Sequence, residues 1–157
     1  MRNLDATDAR LLLALSDNPR ATGLELAQRL GLSRNTVQAR LVALENRPVL
    51  QRFDTRVRPE ALGYPLTAFI TTQINQHQLA GVGSAFDAIP EVIEVHGLTG
   101  ATDLLVRVVA RNPDDLYRIA ELILGIPGVE RTSIALSMRE MVRYRVAPLL
   151  HRRVVGG

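Results

Sequence analysis

The chain has 157 residues, 46% of them apolar and 22% charged, the balance of a soluble globular protein rather than a disordered one. No apolar run approaches the roughly 18 residues that a membrane span needs. The start of the chain carries no basic segment followed by an apolar stretch, so a cytoplasmic protein is expected, and the absence of cysteine excludes disulfides and thiolate metal sites.

Charge is unevenly placed. All 19 basic residues are arginine. Residues 1–58 hold ten of them against six acids, residues 59–142 hold five against ten, and residues 143–157 hold four and no acid. A basic head on an acidic body points to a head that meets a polyanion.

Three helices are expected before residue 48. Asp5 caps the first, with Asp8 three positions on; Leu11, Leu12 and Leu15 form its inner stripe, and Asn18-Pro19 stops it. Thr22 and Glu25 make a capping box for the second, whose inner face is Leu26, Ala27 and Leu30. Gly31 takes the left-handed position that ends it, and Ser33 at once caps the third. Two short helices joined by Gly31-Leu32-Ser33 describe a helix-turn-helix.

At 100° per residue, Val37, Leu41 and Leu44 of the third helix fall within about 60° of one another and face the core. Asn35, Ala39 and Val42 lie opposite, with Gln38 beside them and Arg34 and Arg40 on the flanks. Amides can bind adenine through two hydrogen bonds, small apolar groups meet thymine methyls, and arginines reach phosphates. Ser33, Arg34, Asn35, Thr36, Gln38, Ala39 and Arg40 are therefore the candidate DNA-binding residues. Residues 49–58 alternate apolar and polar and read as an extended linker strand closed by Pro59 and Gly63. On that strand Arg52, Arg56 and Arg58 are either phosphate contacts or ordinary solvated side chains.

The body reads strand, helix, strand, strand, helix, strand. The expected elements are a strand at Leu66–Ile74, a helix over 79–89 weakened by Gly81 and Gly83, and strands over 92–98 and 104–110. A helix capped by Asn112 with Pro113 at its first position follows, then a strand over 129–138. Residues 88–92 (Ala-Ile-Pro-Glu-Val) repeat at 125–129 (Gly-Ile-Pro-Gly-Val), an offset of 37. Two related β-α-β halves give a ferredoxin-like βαββαβ sandwich, with both helices on one face of the sheet. The other face, expected to carry Phe69, Val106 and Val108, then needs cover from a second copy. The class is α+β: a (winged) helix-turn-helix over 1–48, a β linker over 49–63, a ferredoxin-like body over 64–142 and a basic tail over 143–157.

Several strings in this order carry a resemblance. In the first half they are Leu4-Asp5 with Asp8, Asn18-Pro19-Arg20, Glu25-Leu26-Ala27, Gly31-Leu32-Ser33, Thr36-Val37, Arg40-Leu41 and Leu62-Gly63. In the second they are Pro90-Glu91-Val92, Thr99-Gly100 with Asp103, and Pro127-Gly128-Val129. To about residue 150 the chain resembles the Lrp/AsnC (feast/famine) transcription regulators. The resemblance implies a RAM/ACT-like body that dimerises through its sheets, assembly into higher oligomers such as an octamer, and amino acids bound between subunits that modulate DNA binding. Two departures stand out: Arg47-Pro48 where the family usually has a glycine, and Ala101-Thr102 where it often has an acid and an aromatic.

With that resemblance, a small zwitterion is expected near the turn after the second body strand. Asp103 is the candidate acceptor for its ammonium, and the backbone around Gly100 and Ala101 the donor for its carboxylate. His96, at a position the family often fills with an aromatic, and Thr99 adjoin it, and Thr132 lines the opposite wall. Two alternatives remain at this point: an effector-free architectural DNA binder, and a haem-pathway decarboxylase-like enzyme. The second would need aromatic or basic residues around a tetrapyrrole. The chain has no Trp, and His77, His96 and His151 show no ligand spacing. No catalytic residue, metal site or cofactor is expected, nor any P-loop, dinucleotide fingerprint or Ser-His-Asp pattern.

Overall fold

The computed structural model describes residues 4–47, 49–75 and 81–156, which form two compact units, one of residues up to 53 and from 142 onward and one of residues 54–141. His77, the expected helix start at Leu79, and Pro48 lie outside the described residues.

In the first unit, α1 (Ala6–Asp17), α2 (Gly23–Leu30) and α3 (Arg34–Glu45) each begin where a side chain can accept a backbone N–H. Asp5 and Asp8 form a reciprocal capping box on α1, as Thr22 and Glu25 do on α2. Gly31 sits at φ 66°, which a glycine tolerates at little cost, and the amide of Leu32 then reaches the Ala27 carbonyl at 3.0 Å. Leu11, Ala14, Leu26, Ala27, Val37 and Leu44 make the buried core of this unit. A fourth helix joins them from the far end of the chain: α6 (Ala147–Val155) packs on α1. Its less exposed positions, Ala147, Leu150 and Val154, recur at helical spacing.

The linker differs from expectation. Residues 49–63 contain no strand among those described, and so no wing; they hold short 3-10 turns at Phe53–Arg56 and Pro59–Leu62. Alternation favours a strand only where another strand offers a hydrogen-bonding edge, and this segment pairs with none.

The second unit has β1 (Leu66–Ile74), α4 (Val82–Asp87), β2 (Val92–Gly97), β3 (Leu104–Ala110), α5 (Pro113–Leu124) and β4 (Val129–Leu136). The four strands form one antiparallel sheet in the order β2-β3-β1-β4, the ferredoxin-like arrangement. The repeat closes the same turn twice: Val92 donates to Ile89 at 3.0 Å and Val129 to Ile126 at 2.9 Å. Ile89 and Ile126 both enter the core, with Phe86, Ile119 and Ile123 from the helices. α4 is shorter than expected, beginning only after Gly81 at φ 120° and with no side-chain cap.

The uncovered sheet face also needs correction. Val106 and Val108 are fully buried in the helix-covered core rather than beside Phe69. Register explains this: Phe69 pairs with Arg107, so its neighbours Val106 and Val108 point the other way. The open face therefore carries Phe69, Thr71, Leu105 and Arg107, with Glu94 and His96 from β2 and Ser133 and Ala135 from β4.

Candidate DNA interface and effector pocket

Burial fixes which way α3 points. Val37 and Leu44 are buried, whereas Ser33, Arg34, Asn35, Thr36, Gln38 and Ala39 are all exposed. Two of these have local tasks. The Ser33 hydroxyl oxygen accepts the Thr36 amide at 3.1 Å and lies 2.8 Å from the Thr36 hydroxyl. Arg34, Asn35, Gln38 and Ala39 carry no such cap.

Arg40 is bound within the unit. Its Nη1 donates to Asp5 Oδ1 at 2.9 Å, Asp5 Oδ2 at 2.7 Å and Asp8 Oδ1 at 2.6 Å. The guanidinium, and after it the Asp8 amide, hold the Asp5 carboxyl below its usual range. A cleft of about 540 Å3 runs between the start of α1 and α3, lined by Asp5, Asp8, Asn35, Thr36, Ala39, Arg40, Ala43, Leu44 and Arg47. Arg52 and Arg56 are exposed, but each already has a partner.

In the second unit, a bulge between Gln73 and Ile74 ends the regular pairing of β1 with β4, and the 99–103 turn folds onto this end of β1. Asp103 fastens it there: its Oδ2 accepts the Ile74 amide at 2.8 Å and its own amide donates to the Thr72 carbonyl at 2.9 Å. The Gln73 side chain adds a bond to the Ala101 carbonyl at 2.9 Å. Gly100 has φ 123°, a backbone conformation that would strain any side chain.

A cavity of about 320 Å3 lies beside this turn, lined by Thr71, Thr72, Gln73, Ala101, Thr102, Arg131, Thr132 and Ser133. Of the expected effector residues, Ala101 and Thr132 line it, and His96, Thr99, Gly100 and Asp103 do not. His96 lies on β2, opposite Leu105, with Nε2 3.4 Å from Glu94 Oε1. The lining residues that sequence reasoning missed arrive through register, which pairs Thr72 with Thr132 and Gln73 with Arg131. Thr72 is fully buried and its hydroxyl has no hydrogen-bond partner. Such a group costs about 1–3 kcal/mol when left unsatisfied. The lining offers one guanidinium, several hydroxyls and no carboxylate, a set suited to an anionic oxygen group. Among the described residues, no group of three or more His, Asp or Glu side chains stands ready for a metal ion, and no helix is long and apolar enough to cross a membrane.

Comparison with known proteins places both units. Residues 4–45 match the AsnC-type helix-turn-helix domain and residues 67–147 the Lrp/AsnC ligand binding domain. The chain is 33% identical over 129 residues to the HTH-type transcriptional regulator FL11 of Pyrococcus horikoshii, spanning 82% of this chain and 85% of that one. It is 39% identical over 119 residues to the regulator LrpA of Mycobacterium tuberculosis, spanning 73% and 79%. A feast or famine regulatory protein of M. tuberculosis solved with L-methionine superposes with a TM-score of 0.80 at 30% identity, over 91% of this chain and 97% of that one.

Proposed function

Because the chain belongs to the Lrp/AsnC family of transcription regulators, we propose that it reads duplex DNA with the outer face of α3 and adjusts that reading to a small metabolite held beside the 99–103 turn. The observation that carries the first half is the exposed set Arg34, Asn35, Gln38 and Ala39 on a helix whose opposite side is buried. A capped second helix presented in this way enters a major groove with its N-terminal residues at the base edges. Arg34 contacts phosphate, Asn35 and Gln38 read bases, and Ala39 meets a thymine methyl. Arg52 and Arg56 add backbone contacts.

The effector is an amino acid or a similar small carboxylate, a class supported by the L-methionine complex of the M. tuberculosis relative. In the cavity Arg131 takes the carboxylate, with the hydroxyls of Thr71 and Ser133 on the same face of the sheet beside it. Asp103 acts by holding the turn in place. With no carboxylate in the lining, an ammonium group is met by a second copy of the chain, which makes the complete site a subunit junction. The open face of the sheet, with Phe69 and Leu105 among its residues, is the surface through which copies pair, and paired heads then engage half-sites about one helical turn apart.

Binding of the purified protein to its own upstream region, with and without each of the twenty amino acids, tests both halves. Sequence-preferring binding that at least one amino acid shifts is expected. Binding without any preference removes the reading of α3, and binding that no amino acid alters removes the effector.

A further inference from the structure

We propose that the last turn of α6 is a second, sequence-independent phosphate-binding edge of the DNA interface, formed by Arg152 and Arg153. This rests on the reading that the outer face of α3 meets DNA.

The placement follows from a chain of contacts within the first unit. Arg153 Nε donates to the Leu4 carbonyl at 2.6 Å. The next residue, Asp5, receives Arg40 of α3, and Asp5 and Asp8 share a cleft with Asn35, Thr36 and Ala39. The C-terminal end of α6 therefore sits at the rim of the face that carries the base-reading candidates. Phosphates flanking a groove filled by α3 pass beside such a rim, since the major groove is only about 12 Å wide.

Charge explains what a basic turn does there. Asp5, Asp8 and Arg40 together carry one net negative charge, which by itself repels a phosphate backbone. Arg152 and Arg153 reverse the sign of that rim. Residues 142–157 contain four arginines and His151 but no acid. Packing on α1 uses the stripe of Ala147, Leu150 and Val154 and the bond from Arg153 to Leu4, whereas Arg152 is exposed and lies off that stripe. The helix macrodipole favours a cation in a last turn by about 0.3–1 kcal/mol, a stabilising effect that gives no DNA affinity. That difference is measurable.

The experiment uses the intact protein and two labelled duplexes, one of the upstream region and one of scrambled sequence, in fluorescence anisotropy over a salt series. Arg152→Gln, at an exposed position with no ion pair among the described residues, tests the charge without disturbing packing, and Arg152→Gln with Arg153→Gln tests both. Each substitution should weaken both duplexes by the same factor and flatten the slope of log K against log salt by about 0.9. Asn35→Ala is the control, expected to reduce discrimination between the duplexes with the slope unchanged. If Asn35→Ala behaves so while both α6 variants keep the parental slope and affinity, α6 is a packing helix only and the proposal is overturned. If the parent protein shows no discrimination, the reading of α3 fails separately; a slope that Arg152→Gln still flattens then keeps α6 as a phosphate contact.

Discussion

Arg40 of α3 bridges both oxygens of Asp5, at 2.9 and 2.7 Å, while the same carboxylate caps α1 by accepting the Asp8 amide at 2.8 Å. One carboxylate thus ties the start of the first helix to the middle of the third. Arg40→Ala should lower the melting of the head by on the order of 1 kcal/mol, the range of a partly exposed charge-assisted pair. It should weaken all DNA sequences alike, because it frees the tilt of α3 and leaves Asp5 and Asp8 uncompensated. Thermal denaturation beside anisotropy on two duplexes checks this; weakened binding with unchanged stability would assign Arg40 to phosphate instead.

The same pair has a pH signature. The Asp5 carboxyl is more acidic folded than its ordinary value of 3.8, so its stabilisation is complete above that value and is lost as pH falls through and below it. Parent and Arg40→Ala proteins should therefore differ most in melting temperature near neutral pH, and the gap should narrow as pH falls below about 5 and go on closing below 3.8. Asp115 is also held low, by the Arg111 amide and then Arg118, but it titrates in both proteins and cancels in the difference. A gap that stays constant down to pH 3 would remove the Asp5 contribution.

On α3 itself, Asn35→Ala and Gln38→Ala should each cost about 1–3 kcal/mol on the preferred site and relax specificity there. Both side chains are exposed, so stability should hardly change. Selection of binding sites from a random pool by each variant reads this directly. Unaltered preference in both would mean that the helix lies in the groove with a different face inward.

What was legible in the sequence is what short-range hydrogen bonds decide. Capping by Asp5, Thr22, Ser33 and Asn112, the left-handed Gly31 and the twin Ile-Pro turns all close within a few residues, so residue type and spacing suffice to place them. Features made by residues far apart were not legible. Thr72 meets Thr132 only through strand register, and Arg153 meets Leu4 across nearly the whole chain. Val106 and Val108 looked like members of an uncovered face because alternation gives two faces without saying which one the helices cover. Residues 49–58 show the reverse error, a strand pattern with no neighbouring strand to complete it. In the candidate pocket the turn residue Ala101 and the strand residue Thr132 were identifiable, whereas Arg131, the cation of the site, lay on a strand with no motif to mark it.

Asp103 should prove structural. Its carboxylate accepts the amide of Ile74, a residue only 8% exposed, and removing the acceptor leaves that N–H without a partner at a bulge. Asp103→Ala should cost about 1–3 kcal/mol, seen as a lower denaturation midpoint of the body. Asp103→Asn retains a carbonyl acceptor and should recover much of the loss. An Asn variant as unstable as the Ala variant would show that the charge, not the acceptor, matters.

Thr72 gives the sharpest separation between fold and function. Its side chain is fully buried in phase with Ile70 and Ile74, its hydroxyl is unpartnered, and its strand borders the cavity that Arg131 lines. Valine has nearly the same shape without the hydroxyl, so Thr72→Val removes an unsatisfied polar group and creates no void. For packing alone, the variant should be as stable as the parent or more stable by about 1 kcal/mol. Because the hydroxyl lies on the helix-covered side of the sheet, away from Arg131, the same variant should keep the stabilisation that an effector confers, which is about 2.7 kcal/mol at 100 times its dissociation constant. Arg131→Gln, at an exposed position, should remove the effector response through the carboxylate instead. Thermal shifts of the three proteins across the twenty amino acids decide the matter. A Thr72→Val protein that is as stable as the parent yet loses the ligand shift would mean that the hydroxyl reaches the effector after all.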